Sequence, residues 1–540
     1  MTDAPTIRCG HRSRRSRLFC DRLLRSPSSL HRFLQTAIYL FLSTNIIRSP
    51  FVFIEEEVAM TTIWIGKSDD LVERLGRLVL TEQQPREPAD NDADESWTHL
   101  QFYERDFQNT PEDISAIIQA IHKQQWVDVQ FHQCAGIAPL MSTLFQSSNI
   151  ECLSFYSCDR FGEEEFTQLR QVFQESSKFS VKTLLLGCID YDEDDPSTHQ
   201  WANHVALAVG QGLLSAASTS NDDDETGSLT SLRISSSKLT DPEAVSVLSK
   251  GISISKTLSS SLQTLKLPNL SLSDAHAATI VHALHSISSL TELVLSRNRT
   301  IGTETLKSLA KLLSLSSSSL ETLDLSACGK LVQNVENDGE NSSMTAWNEF
   351  VQALPSASAL STLMLEEDGL DDVCMASLAS VLPDCQALQR VDLGRNDIHD
   401  AGVQSLARAL KVQQGEEGRF CPIVKLRLQA NPFGNPGADA LLEALKTNTS
   451  LEFVSIPGKL HAGKHIFHWL HLNKGGRRLM LAKKNQQNQH YQNVPLGLWP
   501  HILERVNHRI NFWSPGKLNE SCRVNVLFHL LHGPALLMRH

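Results

Sequence analysis

Apolar residues recur along the chain in the order L-x-x-L-x-L, with Asn or Cys three residues further on. The pattern is clearest at Leu290, Leu293, Leu295 and Asn298, and at Leu320, Leu323, Leu325 and Cys328. It returns at Leu388, Val391, Leu393 and Asn396, and at Ile423, Leu426, Leu428 and Asn431. Weaker copies begin at Trp97, Trp126, Ile150, Val181, Leu229, Leu262, Leu360 and Leu451. The alternation predicts a short strand whose leucines point to a core and whose intervening residues face the other way. Behind each strand the period changes. Leu306, Leu309 and Leu313 follow Asn298, and Val403, Leu406 and Leu410 follow Asn396, three or four residues apart, as one face of a helix requires. Thr110-Pro111 and Asp241-Pro242 place a capping side chain before a proline at the first helical position. A strand and helix of this size cannot bury their apolar faces alone, so stability must come from stacking copies.

The segments "LQRVDLGRNDIHDAGVQSLARAL" (388–410) and "VKLRLQANPFGNPGADALLEAL" (424–445) carry a family resemblance. Over about residues 97–460 the chain resembles the ribonuclease-inhibitor-like leucine-rich-repeat proteins, whose helical half is long. The resemblance implies an α/β leucine-rich-repeat solenoid, a horseshoe with parallel concave strands, convex helices and a helical C-terminal cap. The first copies depart from the motif: Trp97, Trp126 and Val181 replace the first leucine, and Arg105 and Ile189 stand at the Asn or Cys position.

Outside and between the repeats the composition shifts. Residues 1–54 carry nine arginines, no lysine and only two acids, Asp3 and Asp21, and residues 1–59 read as a transit peptide, a disordered arm or an upstream extension of the reading frame. Their apolar run, Phe33 to Ile47, is shorter than the roughly 20 residues of a spanning helix, so no membrane insertion is expected. Residues 60–96 read as an N-terminal cap, with a strand and amphipathic helix over 63–80, followed by a polar linker. Residues 461–540 read as a helical C-terminal cap containing "VPLGLWPHILERVN" and "RVNVLFHLLHGPALL". Acidic runs at 190–199, 221–227, 334–343 and 413–418 lengthen individual units and read as solvated loops.

Charge and chemistry narrow the function. A net charge of −12 argues against non-specific nucleic-acid binding. Eleven cysteines without a CxxC pair read as free, mostly buried thiols in a reducing compartment, and the expected location is cytoplasmic or nuclear, or an organelle if residues 1–59 act in targeting. Gly66-Lys67-Ser68 ends like a phosphate-binding loop, but the glycine needed five residues earlier is Thr61. His461, His465, His468 and His471 fall on one helical arc without an acidic or Cys companion, and read as cap packing, as does the pair His282 and His285. Cys134, Cys158 and Cys328 occupy the Asn or Cys position and read as structural. No catalytic, cofactor or metal site is therefore expected.

The residues between the core leucines predict a binding strip on the concave face. Its first copies offer Tyr103, Glu104, His132 and Tyr156, its middle Asp324, Glu366 and Glu367, and its end Arg390, Asp392, Arg395, Lys425 and Arg427. His99, Lys266, Glu292 and Arg297 fall on the same strip. Aromatic and arginine side chains are those that interfaces favour. The partner expected is another protein, bound by a monomeric, non-catalytic scaffold. The alternative is a small-GTPase regulator, because the Ran GTPase-activating proteins resemble this repeat class. Those proteins carry an acidic C-terminal segment, whereas this tail holds Lys483, Lys484, Arg505, Arg509 and Arg523.

Overall fold

A computed structural model describes residues 61–65, 75 and 97–474, apart from 109, 124, 157–159, 176–177, 188–200, 220–228, 333–341, 412–420 and 459. The N-terminal extension, the Gly-Lys-Ser tripeptide, the polar linker, almost all of the acidic runs, Cys158 and the two helices expected beyond residue 490 lie outside the described residues.

Among the described residues, thirteen parallel strands form one sheet in sequence order. They are β1 (Thr61–Ile65), β2 (Trp97–Tyr103), β3 (Trp126–His132), β4 (Ile150–Tyr156), β5 (Thr183–Gly187), β6 (Ser231–Ser235), β7 (Thr264–Lys266), β8 (Glu292–Val294), β9 (Thr322–Asp324), β10 (Thr362–Met364), β11 (Arg390–Asp392), β12 (Lys425–Arg427) and β13 (Phe453–Ser455). β1 precedes the first repeat copy and pairs with β2, Ile65 opposite Phe102. A helix follows most strands: α1 (Pro111–Lys123), α2 (Ala138–Gln146), α3 (Glu163–Gln174), α4 (Trp201–Thr219), α5 (Pro242–Ile254) and the short α6 (Lys256–Ser261) in the first half. The second half holds α7 (Asp274–Ala283), α8 (Thr303–Leu313), α9 (Ser342–Ala353), α10 (Asp372–Val381), α11 (Asp400–Leu410), α12 (Asn435–Thr447) and α13 (Gly463–Lys474).

The core is built from rows that cross the sheet. Leu265, Leu293, Leu323 and Leu363 pair strand to strand, and each is fully buried. Two residues further along, Leu295, Leu325, Leu365, Leu393 and Leu428 form a second buried row. In the first copies this second row is aromatic. Phe102, Phe131 and Phe155 stack with ring centroids 4.9 and 5.4 Å apart. The weak N-terminal copies thus keep the register with larger side chains.

One backbone device recurs behind nine of the strands. Glu104, Gln133 and Ser236 directly follow β2, β3 and β6, and Asn269, Arg297, Ala327, Glu367, Arg395 and Ala430 lie three residues beyond the ends of β7 to β12; all nine have a positive φ. The left-handed residue turns the chain out of the sheet toward the helix layer. The next residue is the Asn or Cys of the motif at Cys134, Asn298, Cys328, Asn396 and Asn431, and Arg105, Ser237, Leu270 or Asp368 in the other four copies. Asn298 accepts from the amides of Leu270 and Leu272 and donates to the carbonyls of Leu267 and Leu295. Asn396 and Asn431 repeat the arrangement. Cys328 gives its thiol to the Leu295 carbonyl at 3.3 Å, and Cys134 gives its own to His132 at 3.4 Å. These buried backbone groups cannot reach water, so the side chain that satisfies them is structural.

A second ladder joins the helix starts. The carboxylate of Asp274 accepts from the amides of Gly302, Glu304 and Thr305 at the start of α8. Asp372 does the same for His399 and Gly402, and Asp400 for Gly434 and Gly437. An acid in the first turn of one helix therefore caps the next helix, a contact worth about 1 kcal/mol. Serines and threonines make a third ladder between copies: Thr230 to the Lys182 carbonyl, Ser289 to Leu262, Ser319 to Ser288 and Ser361 to Glu321. Asp241 caps α5 through the Glu243 amide at 2.9 Å, as the sequence predicts. Thr110 does not cap α1: its buried hydroxyl has no hydrogen-bond partner, and only its carbonyl engages the helix, at Ile114.

Candidate functional site

The concave side of the sheet presents ordered rows. One runs His99, Asp128, Cys152, Thr183, Ser231, Thr264, Glu292, Thr322, Thr362, Arg390, Lys425 and Phe453, each the Cα partner of the next. The next row runs from Gln101, Gln130 and Ser154 through Arg233, Lys266, Val294 and Asp324 to Met364, Asp392, Arg427 and Ser455. A third row begins Tyr103, His132 and Tyr156, and Glu366 takes the equivalent place beyond β10. Neighbouring strands lie about 4.8 Å apart, so twelve of them span roughly 50 Å.

The residues singled out by alternation divide accordingly. Arg390 and Lys425 stand in the first row, Asp324, Asp392 and Arg427 in the second, and Tyr103, His132, Tyr156 and Glu366 in the third. Glu104, Glu367, Arg395 and Arg297 are not sheet residues. They occupy the left-handed turn position, because alternation ends where φ becomes positive, and all four are exposed. Thr322 and Thr362 lie among these rows half-exposed, and counting two positions back from Asp324 and Met364 would have found them.

The aromatic end is a stack. The His132 ring lies between Tyr103 and Tyr156 at centroid distances of 4.4 and 4.6 Å, nearly parallel to both. Its Nε2 sits 2.8 Å from Oε1 of Gln130, and Tyr103 donates to Gln101 at 3.1 Å. The imidazole is 3% exposed, so its place is concave but its surface is covered. Burial pushes its pKa down to about 4, and burial pushes the Tyr103 phenol up to about 12. Beside the stack, burial raises the Asp128 carboxyl above its usual range, with hydrogen bonds to Gln130, Cys152 and Ser154 acting against it.

The acidic and basic stretches of the strip meet as ion pairs. Lys266 lies 2.9 Å from Glu292, and Arg427 lies 2.7 Å from Asp392. Arg395 reaches Glu366 at 3.2 Å and Glu367 at 3.8 Å. Asp392 is buried, covered in part by Arg427, and its Oδ1 also accepts the Gly394 amide. Burial and the nearby Asp392 raise the Glu366 carboxyl, while Arg395 and Arg427 lower it. Glu366, Arg395, Arg427, Gln429 and Ser455 line a shallow depression of about 340 Å³. The acidic-to-basic progression of the sequence is thus largely neutralised between strands.

The remaining candidate groups are accounted for locally. His471 is buried on α13 with Nδ1 2.5 Å from the Phe467 carbonyl, and His468 meets Trp469 edge to face. His461 precedes the helix and gives its amide to Asn435. His282 and His285 are 4.9 Å apart, ring to ring, and burial lowers the His285 pKa. Burial pushes the Cys134 thiol up to about 11 and the Cys328 thiol well above its usual value, so both stay protonated and inert. No helix among the described residues is long and apolar enough to cross a membrane.

A leucine-rich-repeat family model matches residues 286–310 and 384–407. Mouse (Mus musculus) "NACHT, LRR and PYD domains-containing protein 5" is 29% identical over a segment that makes up 34% of this chain and 18% of that protein. The chain therefore covers less than a fifth of that relative. Among solved structures, an internalin from Listeria monocytogenes is 14% identical, with 68% of this chain and 78% of that chain covered and a TM-score of 0.34. The tropomodulin C-terminal domain of Caenorhabditis elegans is 16% identical, with 34% and 99% covered and a TM-score of 0.26. With its sheet in sequence order, its repeated turn and its Asn ladder, the chain is a leucine-rich-repeat protein.

Proposed function

We infer that the chain is a non-catalytic scaffold of the ribonuclease-inhibitor-like type that receives a partner protein on its concave face. The carrying observation is the set of rows that cross the sheet in unbroken register and leave Thr322, Thr362, Arg390 and Lys425 half-exposed or exposed over consecutive strands. A standard interface takes about 800 Å² from each partner. A face some 50 Å long supplies that area without rearrangement, whereas a small molecule binds in an enclosed pocket. The sheet is rigid because its core residues are fully buried, so little ordering cost opposes docking.

The test uses the full chain immobilised for affinity capture, followed by titration of each captured protein. Thr322→Arg with Thr362→Arg places two long side chains on the concave rows. Ala376→Arg with Ser380→Glu alters exposed positions on α10. Loss of the partner from the concave pair alone is the expected result. Loss from the α10 pair alone would overturn the proposal.

A further inference from the structure

Within the concave rows, two adjacent cations form no ion pair among the described residues. Arg390 and Lys425 are directly opposite each other on β11 and β12, both exposed. Among the described residues neither forms an ion pair, whereas Lys266, Arg395 and Arg427 each have a carboxylate within 3.2 Å. Like charges directly opposite across adjacent strands are destabilising. The nearby sheet avoids this arrangement: Arg427, the next residue but one along β12, faces Asp392. Burial, then Arg390, hold the Lys425 ammonium below its usual value. Lys474 acts in the same sense and Glu452 against it. The row continues to half-buried Phe453 on β13.

These three side chains stand on consecutive strands, about 4.8 Å apart. Residues one turn apart on a helix are about 5–6 Å apart. The match in spacing and the complement in charge define an occupant. We propose that Arg390, Lys425 and Phe453 form a docking row for a helix of a partner protein that presents two carboxylates one turn apart and an apolar side chain one turn beyond. The proposal rests on the concave-face scaffold reading and adds the chemical class of its partner. Charge-assisted hydrogen bonds to the two carboxylates replace the repulsion within the row, and the apolar side chain covers Phe453.

The probe is a fluorescein-labelled alanine-based helical peptide with Glu at positions i and i+4 and Leu at i+8, titrated into the full chain by anisotropy. Saturable binding is expected, weakened at least tenfold by Arg390→Glu with Lys425→Glu, and as much when both peptide glutamates become glutamine. Arg390→Gln with Lys425→Gln, which introduces no repulsion, should fall between wild type and the reversal, and unchanged thermal melting shows that the variants fold. Absence of binding, equal binding of the glutamine peptide, or undiminished affinity of the reversal variant would each overturn the proposal. If the peptide fails while Thr322→Arg with Thr362→Arg still releases captured partners, the acidic-helix proposal falls and the scaffold reading stands. If both fail, the scaffold reading falls as well.

Discussion

The backbone amide of Asp368 donates to Oδ1 of Asn396 at 2.9 Å, and the two side chains hold the same place in successive turns. Asn396 uses both ends of its amide, accepting from Asp368 and Leu370 and donating to Leu365 and Gly394. Asp368 matches only half of this. Its Oδ1 accepts the Cys328 amide at 2.9 Å, while its fully buried Oδ2 has no partner. Burial drives this carboxyl well above the usual range, with Asp324, Glu367 and Glu366 adding to the rise.

Asp368→Asn should therefore stabilise the protein. Restoring the missing donor removes a buried unsatisfied group, worth about 1–3 kcal/mol. The sign with pH follows from linkage. Because the folded pKa lies above the unfolded one, the contribution of Asp368 is complete below the unfolded value near 4 and declines as pH rises toward the folded value. Denaturant titrations at pH 5 and pH 8 check this: the gain from Asp368→Asn should be larger at pH 8. A variant less stable than wild type at both values would contradict the assignment.

His132 predicts the opposite slope. Its folded pKa is near 4 against an ordinary 6.5. A depressed histidine contributes fully above 6.5, and the contribution is lost as pH falls toward 4. The difference corresponds to about 3 kcal/mol at most. His132→Phe keeps a ring between Tyr103 and Tyr156 and removes the titration. The fall in stability between pH 7 and pH 4.5 should be shallower in this variant. An identical fall would place the acid sensitivity elsewhere.

Helices α4 and α5 pack backbone to backbone through two glycines. A Cβ on Gly210 would stand 2.7 Å from the backbone of Val247 and Leu248, and one on Gly251 would stand 2.7 Å from the Gly210 carbonyl. Gly210→Ala or Gly251→Ala must push the helices apart, at a cost of about 1–3 kcal/mol. Gly458→Ala meets nothing within 4 Å and serves as the control. Calorimetry should show a lowered transition for the first two and little change in the third.

The core could be read from the sequence because every copy repeats the same apolar spacing, from Leu290 to Leu428. Phe131 and Phe155 fill leucine positions, so even the weak copies keep their register. The turn residues could not be assigned by alternation. Glu367 and Arg395 look like sheet positions until the positive φ that follows Glu366 and Gly394 is seen. The ion pairs were hidden because Asp392 and Arg427 are 35 residues apart and meet only through strand register. The role of Asp368 is not legible in the sequence because Asp and Asn have the same shape, and the difference lies in the unmet Oδ2. For the same reason, charge reversal at Arg427 is a poor probe of binding: it would set a second acid against buried Asp392.

Docking of partner proteins on the concave face is tested by placing a photo-crosslinking amino acid at Thr362 or Lys425 on the sheet, and at Ala376 or Arg408 on the exposed faces of α10 and α11. After irradiation with captured partner, adducts are mapped by mass spectrometry. Adducts confined to Thr362 and Lys425 are predicted. Adducts confined to Ala376 and Arg408 would contradict the account and move the interface to the helical side.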